Sequence, residues 1–111
     1  MLSLSDLTAK NRAGVPLGIP CFCTANEYVL KACLTYASTN NLPLVIEATC
    51  NQVNQEGGYT GITPENFIAW VRDLAQTYEF ETDLLIMGGI ILGQTRGGIC
   101  QLMKLCNGPV I

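Results

Sequence analysis

Three short apolar segments with little polar interruption, separated by helix-like stretches, most constrain what this chain can fold into. They are GIPCFC at 18–23, the strand at 44–48 within PLVIEA, and DLLIMGG at 83–89. Strands buried on both faces form continuous apolar runs, and parallel strands are joined by helical crossovers. The order strand, helix, strand, helix, strand therefore predicts a parallel sheet covered by helices.

Helix signals lie between these segments. Asn26 is suited to cap a helix that runs through about Ser38, and Asn40 and Asn41 can end it because Asn tolerates the left-handed conformation. Thr63 followed by Pro64 predicts a second helix start. The predicted apolar faces are Val29, Leu30, Cys33, Leu34 and Ala37 in the first helix, and Phe67, Trp70, Val71, Leu74 and Tyr78 in the second.

Three strands and two helices leave both edges of such a sheet unclosed, so the chain resembles part of something larger. Its 111 residues, 49% hydrophobic, suffice for one small core. Only 14% are charged and the net charge is −3, which argues against nucleic acid or an anionic membrane as partner. So few charges also indicate a surface that something else covers.

Neither export nor membrane insertion is indicated. The start MLSLSDLTAKNRAG has no basic n-region, and a short helix is predicted over 5–12. No segment approaches the roughly 18 apolar residues of a membrane helix. We therefore expect a cytoplasmic protein.

The cysteines are expected to be reduced thiols. There are six, at irregular spacing: Cys21, Cys23, Cys33, Cys50, Cys100 and Cys106. Cys21 and Cys23 would point to one face of a strand, which leaves a structural zinc site as an alternative. No histidine occurs anywhere in the sequence, and no CxxC pair follows, so buried thiols are favoured.

The stretch EATCNQVNQEGGYTG at 47–61 follows the second predicted strand and holds more amides and glycines than core packing needs. Together with its continuation ITPENF and with GIPCFCTANEYVLKACL, it closely resembles the accessory-subunit family of tagatose-1,6-bisphosphate aldolase. These are non-catalytic partners of class II, zinc-dependent aldolases, and some relatives are labelled tagatose-6-phosphate kinases or sugar 4-epimerases. The likeness covers nearly all of 12–89, although Asn26 replaces a histidine of the family pattern.

The resemblance implies a (β/α)8 barrel. Residues 1–89 would supply about the first three β/α units, which do not close a barrel by themselves. Substrates bind at the C-terminal ends of barrel strands, so Glu47 is the candidate functional acid. The candidate substrate-binding residues are Asn51, Gln52, Asn54, Gln55, Gly57, Gly58 and Tyr59. Amides suit sugar hydroxyls and phosphate oxygens, and paired glycines allow close backbone approach. Alternatively, these side chains tie the loop down or meet a partner subunit.

The likeness stops after Gly89. The family continues with Asp-His, where this chain has Ile90 and Ile91. Suitable codons for 89–97, regrouped from the last base of codon 89, spell Asp-His-Phe-Gly-Pro-Asn-Pro-Trp, the family's continuation. We therefore expect residues 90–111 to be an out-of-frame tail, which makes Cys100 and Cys106 accidental. Resequencing the gene downstream of codon 85 tests this expectation.

A second interpretation exists for the same segment. GGIILGQT at 88–95 has the spacing of a phosphate-binding P-loop after a strand, but Gln94 replaces the lysine. Without that lysine the phosphate charge lacks its main counter-ion. A buried strand that runs into a glycine-rich loop is therefore favoured.

The sequence leaves three functions open. The first is an accessory subunit, here truncated, whose partner is the catalytic aldolase subunit; zinc is then expected in that partner, with no metal or cofactor in this chain. The second is a barrel enzyme that acts directly on a ketose phosphate by aldol cleavage or 4-epimerisation. The third is a non-functional fragment. With unpaired sheet edges, the 111-residue product is predicted to be poorly soluble or oligomeric.

Overall fold

The computed structural model describes the backbone of residues 4–90 and the side-chain environments of residues 5–89. The elements are α1 (Leu4–Arg12), β1 (Cys21–Cys23), α2 (Glu27–Thr39), β2 (Leu44–Thr49), α3 (Pro64–Thr77), a 3-10 turn (Thr82–Leu84) and β3 (Leu85–Ile90). The predicted order of strands and crossover helices is confirmed. The chain is an α/β protein, consistent with part of a (β/α)8 barrel.

The three strands form one parallel sheet in the order β1-β2-β3. Cys23 lies beside Glu47, and Glu47 in turn lies beside Gly88. Because all strands run the same way, their carboxyl ends meet at one edge of the sheet. The loops that follow β1 and β2 therefore begin side by side.

Within residues 4–90, helices cover one face of the sheet and leave the other open. Along β2, Leu44, Ile46 and Ala48 are buried, whereas the alternate residues are half-buried. The core behind the covered face consists of Leu30, Cys33, Leu34, Ala37, Leu44, Ile46, Ala48, Cys50, Val53, Phe67, Val71, Ala75, Phe80 and Leu84. The opposite set, called here the open face, consists of Cys21, Cys23, Val45, Glu47, Thr49, Ile86 and Gly88.

The helix predictions are confirmed in outline and corrected in detail. The Asn26 side chain caps α2 by accepting from two backbone N–H groups. Of the two asparagines predicted to end α2, Asn41 is left-handed with a φ of 53°, whereas Asn40 has a φ of −97°. Thr63 holds the N-cap position of α3, but its side chain makes no capping bond. Val29 is 43% exposed and is not part of the apolar face. The buried stripe of α2 consists of the other predicted residues, Leu30, Cys33, Leu34 and Ala37.

The strand β2 begins at Leu44 as predicted, whereas β1 and β3 begin later than predicted. β1 begins at Cys21 and not Gly18, since Pro20 has no N–H with which to extend the ladder. The prediction of a strand from Asp83 is wrong, because Asp83 lies in the 3-10 turn, where the Leu84 N–H bonds the Glu81 carbonyl at 3.0 Å. In α3, Ile68 and Ala75 are also buried, while Trp70, Leu74 and Tyr78 are partly buried.

The division at residue 89 and the expected out-of-frame tail stay predictions, because 91–111 lie outside the described residues. That segment includes Cys100, Cys106 and most of the glycine-rich P-loop alternative. Within 4–90, Cys21, Cys23, Cys33 and Cys50 are free thiols. Cys33 and Cys50 are buried as expected, but the prediction of burial is wrong for Cys21 and Cys23, which are exposed on the open face. In the same part of the chain, no helix has the length and apolarity needed to cross a membrane.

Candidate functional site

Glu47 lies near the carboxyl end of β2, on the open face. A Cβ atom built on Gly88 would lie 3.0 Å from Cγ of Glu47 and 3.2 Å from its Oε1. Contacts that short are tighter than ordinary van der Waals contact. The Glu47 side chain therefore lies directly over Gly88, in space that only a glycine on β3 leaves free.

Two thiols of β1 flank this carboxylate. Cys21 is an exposed residue, but its thiol is partly buried and hydrogen-bonded to Glu47. This burial, then the hydrogen bond and then the negative charge of Glu47 raise the pKa of Cys21 to about 11. Partial burial and then the negative charge of Glu47 also raise the pKa of Cys23. Both groups are protonated near neutral pH, and a thiol is a far weaker nucleophile than a thiolate. We call Cys21, Cys23 and Glu47 the thiol–carboxylate cluster; it suits hydrogen bonding rather than covalent attack.

Gln52 connects this cluster to the loop after β2. Its Oε1 accepts from the Thr49 N–H at 2.9 Å and from the Cys23 thiol at 3.6 Å. The Thr49 hydroxyl in turn accepts from the Gln52 N–H at 3.3 Å. Gln52 was predicted to bind substrate, but its side-chain oxygen makes hydrogen bonds that hold the loop against β1.

Asn54 organises the loop from within. Its Nδ2 donates to the Cys50 carbonyl at 2.7 Å. Its Oδ1 accepts from the Glu56 N–H at 2.8 Å and the Gly58 N–H at 3.1 Å. All of these bonds lie inside the loop, which favours the structural alternative for this predicted binding residue.

The paired glycines also serve loop closure. Gly57 and Gly58 have φ values of 100° and 58°, which glycine adopts without strain. A Cβ on Gly58 would lie 2.6 Å from the Gln52 carbonyl oxygen. The close approach predicted at these positions occurs, but it is to the loop's own backbone.

The remaining predicted binding residues face solvent. Asn51 and Gln55 are exposed, and Tyr59 is 75% exposed. Together with Glu47, they are the predicted site residues whose polar groups the loop leaves open to a ligand. A binding role for all eight predicted residues stays a prediction.

Sequence reasoning missed three features. Thr60 closes the loop by donating to the Gln52 carbonyl at 2.6 Å and accepting from the Ile62 N–H at 3.2 Å. Gly88 makes room for Glu47, and Cys21 bonds it. The Cys-Phe-Cys spacing placed both thiols on one face, but only the strand register brings them beside Glu47.

The zinc of a class II aldolase does not fit the described part of this chain. From 4 to 90, no group of three or more His, Cys, Asp or Glu side chains is arranged to hold a metal ion.

Comparison with known proteins defines the family. The family model for the D-tagatose-1,6-bisphosphate aldolase subunit, GatZ/KbaZ-like, matches residues 4–97. The chain belongs to this family, as the loop sequence predicted.

A solved structure supports the same placement. It is titled a probable tagatose 6 phosphate kinase from Sinorhizobium meliloti 1021, and it matches with 47% sequence identity and a TM-score of 0.64. The match covers 69% of this chain but only 20% of the solved chain. The chain thus spans about a fifth of the length of that relative.

Proposed function

We propose that this chain is the first part of an accessory subunit that supports a catalytic, zinc-dependent tagatose-1,6-bisphosphate aldolase chain. The observation that carries the proposal is the match of residues 4–97 to an aldolase subunit family. The biological role is then the breakdown of tagatose, galactitol or amino sugars in the cytoplasm. Zinc belongs to the partner, and this chain needs no cofactor of its own.

The organisation of the loop supports a subunit that holds a surface in place. Gln52, Asn54 and Thr60 direct hydrogen bonds into the loop itself, so its shape is set before anything binds. Tyr59, exposed beside these tied residues, presents the amphipathic ring that protein interfaces favour. A rigid loop with an exposed aromatic side chain suits a partner chain or a ligand held between two chains.

Direct action on a ketose phosphate is the second candidate. The positioned Glu47 carboxylate favours it, because aldol cleavage and 4-epimerisation both need proton transfer. The solved relative is itself named as a probable kinase of tagatose 6 phosphate. The third candidate, a fragment without function, predicts neither a partner nor turnover.

Co-expression with the cognate class II aldolase chain separates these candidates. The accessory role predicts that the two chains co-purify and that aldol cleavage of D-tagatose 1,6-bisphosphate is faster, or survives heating longer, than with the aldolase alone. The purified chain alone should turn over no tagatose phosphate.

Turnover by the chain alone would overturn the accessory role. Glu47→Gln should then abolish that turnover, and Glu56→Gln, which changes an exposed acid within the loop, should not. Absence of both complex and turnover would leave the non-functional fragment as the answer.

A further inference from the structure

The segments that build the open face and its adjoining loop carry negative charge without a cation. Residues 21–24, 44–63 and 85–89 include Glu47 and Glu56 but no lysine or arginine. The described basic residues lie on the helices instead, and Lys31 pairs with Glu27 at 2.8 Å. An approaching phosphate would find no counter-ion on these segments.

The glycines of the loop do not supply a phosphate cradle. Such cradles need several backbone N–H groups that point at the anion. The N–H of Gly57 donates to the Asn54 carbonyl at 2.8 Å, and that of Gly58 donates to the Asn54 side chain at 3.1 Å. The N–H of Gly61 donates to the Gly58 carbonyl at 3.3 Å. These donors are already used within the loop.

The position of Glu47, over Gly88 and beside Cys23, limits the charge that a ligand on the open face can carry. The Glu47 carboxylate contributes to raising the pKa of both Cys21 and Cys23, so it disfavours a second negative charge at their positions. A phosphate dianion beside Glu47 would meet the same repulsion. Neutral hydroxyl groups would not, and a carboxylate accepts hydrogen bonds from them.

We propose that the open face and its loop bind the neutral, hydroxyl-bearing part of a sugar, and that no phosphate is held there. Glu47 accepts from sugar hydroxyls, and the exposed amides of Asn51 and Gln55 supply donors at the rim. The choice of a sugar rests on the proposed function. The sequence predicted that the loop binds both sugar hydroxyls and phosphate oxygens, and this proposal keeps only the hydroxyls.

Thiol protection tests this assignment on the full 111-residue chain. Alkylation rates of Cys21 and Cys23 with iodoacetamide are measured by peptide mapping at pH 9, with D-tagatose or inorganic phosphate at matched ionic strength. D-tagatose should slow alkylation of both cysteines to a saturating limit, and phosphate should leave their rates unchanged. The buried Cys33 and Cys50 serve as internal controls.

Matched variants identify the binding group. Glu47→Gln removes the charged acceptor and should weaken D-tagatose protection about tenfold or more, since a hydrogen bond to a charged group contributes ~1.5–3 kcal/mol. Glu56→Gln should retain wild-type protection. Each variant is compared with its own sugar-free rate, because Glu47→Gln itself changes thiol reactivity.

Three results would overturn the proposal: protection by phosphate, D-tagatose protection that survives Glu47→Gln, or no protection by D-tagatose. The outcome is independent of the aldolase complex. Sugar protection without complex formation would sink the accessory role alone, and complex formation without sugar protection would sink this inference alone.

Discussion

At the scale of single residues, three glycines of the loop after β2 share positive φ values but differ in their surroundings. Gly58 has a φ of 58°, and an added Cβ would lie 2.6 Å from one backbone carbonyl oxygen and 2.7 Å from another. Gly61 has a φ of 75° with nothing within 4 Å of such a Cβ. The pair separates the cost of the left-handed conformation from the cost of a clash.

Gly58→Ala is therefore expected to destabilise the fold more than Gly61→Ala. Gly61→Ala should cost only the left-handed conformation, about 1–2 kcal/mol. Gly58→Ala adds an overpacking cost of about 1–3 kcal/mol, because backbone atoms cannot move aside cheaply. Urea unfolding of both variants measures the difference, and equal losses would show that the loop does not close as described.

The same scale shows where sequence reasoning reached its limit. Glu47 could be placed at a strand end from the apolar pattern alone. The sequence could not show that the Gln52 and Asn54 side chains make hydrogen bonds within the loop. An amide side chain can both donate and accept, and its residue type does not identify its partner. The pairing of Cys21 with Glu47 likewise depends on strand register, which neighbouring sequence does not encode.

At the scale of elements, the two covering helices begin in different ways. Asn26 Oδ1 accepts from the N–H groups of Tyr28 and Val29 at 3.0 and 3.2 Å. At α3, the Thr63 side chain makes no such bond, and Pro64 at the start of the helix lacks an N–H to satisfy. The stability of α2 therefore depends on its cap more than that of α3 does.

Asn26→Ala should lower the free energy of unfolding by about 1 kcal/mol, as loss of an N-cap bond typically does. Thr63→Ala, the matched change at α3, should lower it by much less. Thermal or urea unfolding of the two variants checks the ranking. A larger loss for Thr63→Ala would mean that its hydroxyl caps α3 after all.

Element order was predictable because apolar runs and cap residues are local signals. The boundaries were less so: the 3-10 turn before β3 looks like strand in sequence because Leu84 is apolar and buried. The sequence also did not show that one side of β2 is only half-buried. Val45 lies on that side, yet it is as apolar as a residue of a strand that is covered on both faces. Which face lies open depends on what else packs there.

At the scale of the whole molecule, the described sheet pairs β1 and β3 on one side only. Their outer edges present unpaired N–H and C=O groups, and exposed edges promote association. The open face adds apolar surface at Val45 and Ile86, both half-buried. Protein of this length with these edges should not stay monomeric.

Size-exclusion chromatography with light scattering should therefore give a mass well above the 12.0 kDa of one chain, or the protein should precipitate. Association should weaken as concentration falls, because the contacts are intermolecular. A 12.0 kDa monomer with one sharp, cooperative thermal transition would contradict this prediction.

The central claim is that the sheet register brings Glu47, Cys21 and Gly88 together on the open face, and the pH dependence of Cys21 alkylation tests it most directly. Wild-type protein should show a midpoint at about 11 instead of 9.0. Glu47→Gln should lower the midpoint, because a neutral amide no longer repels the thiolate, while partial burial keeps it above 9.0.

Gly88→Ala should lower the midpoint by less than Glu47→Gln, because its Cβ pushes the carboxylate away from Cys21 without removing the charge. Gly18→Ala, at a glycine with nothing within 4 Å of an added Cβ, should leave the midpoint unchanged. A wild-type midpoint near 9.0 that neither Glu47→Gln nor Gly88→Ala moves would show that the three residues do not meet.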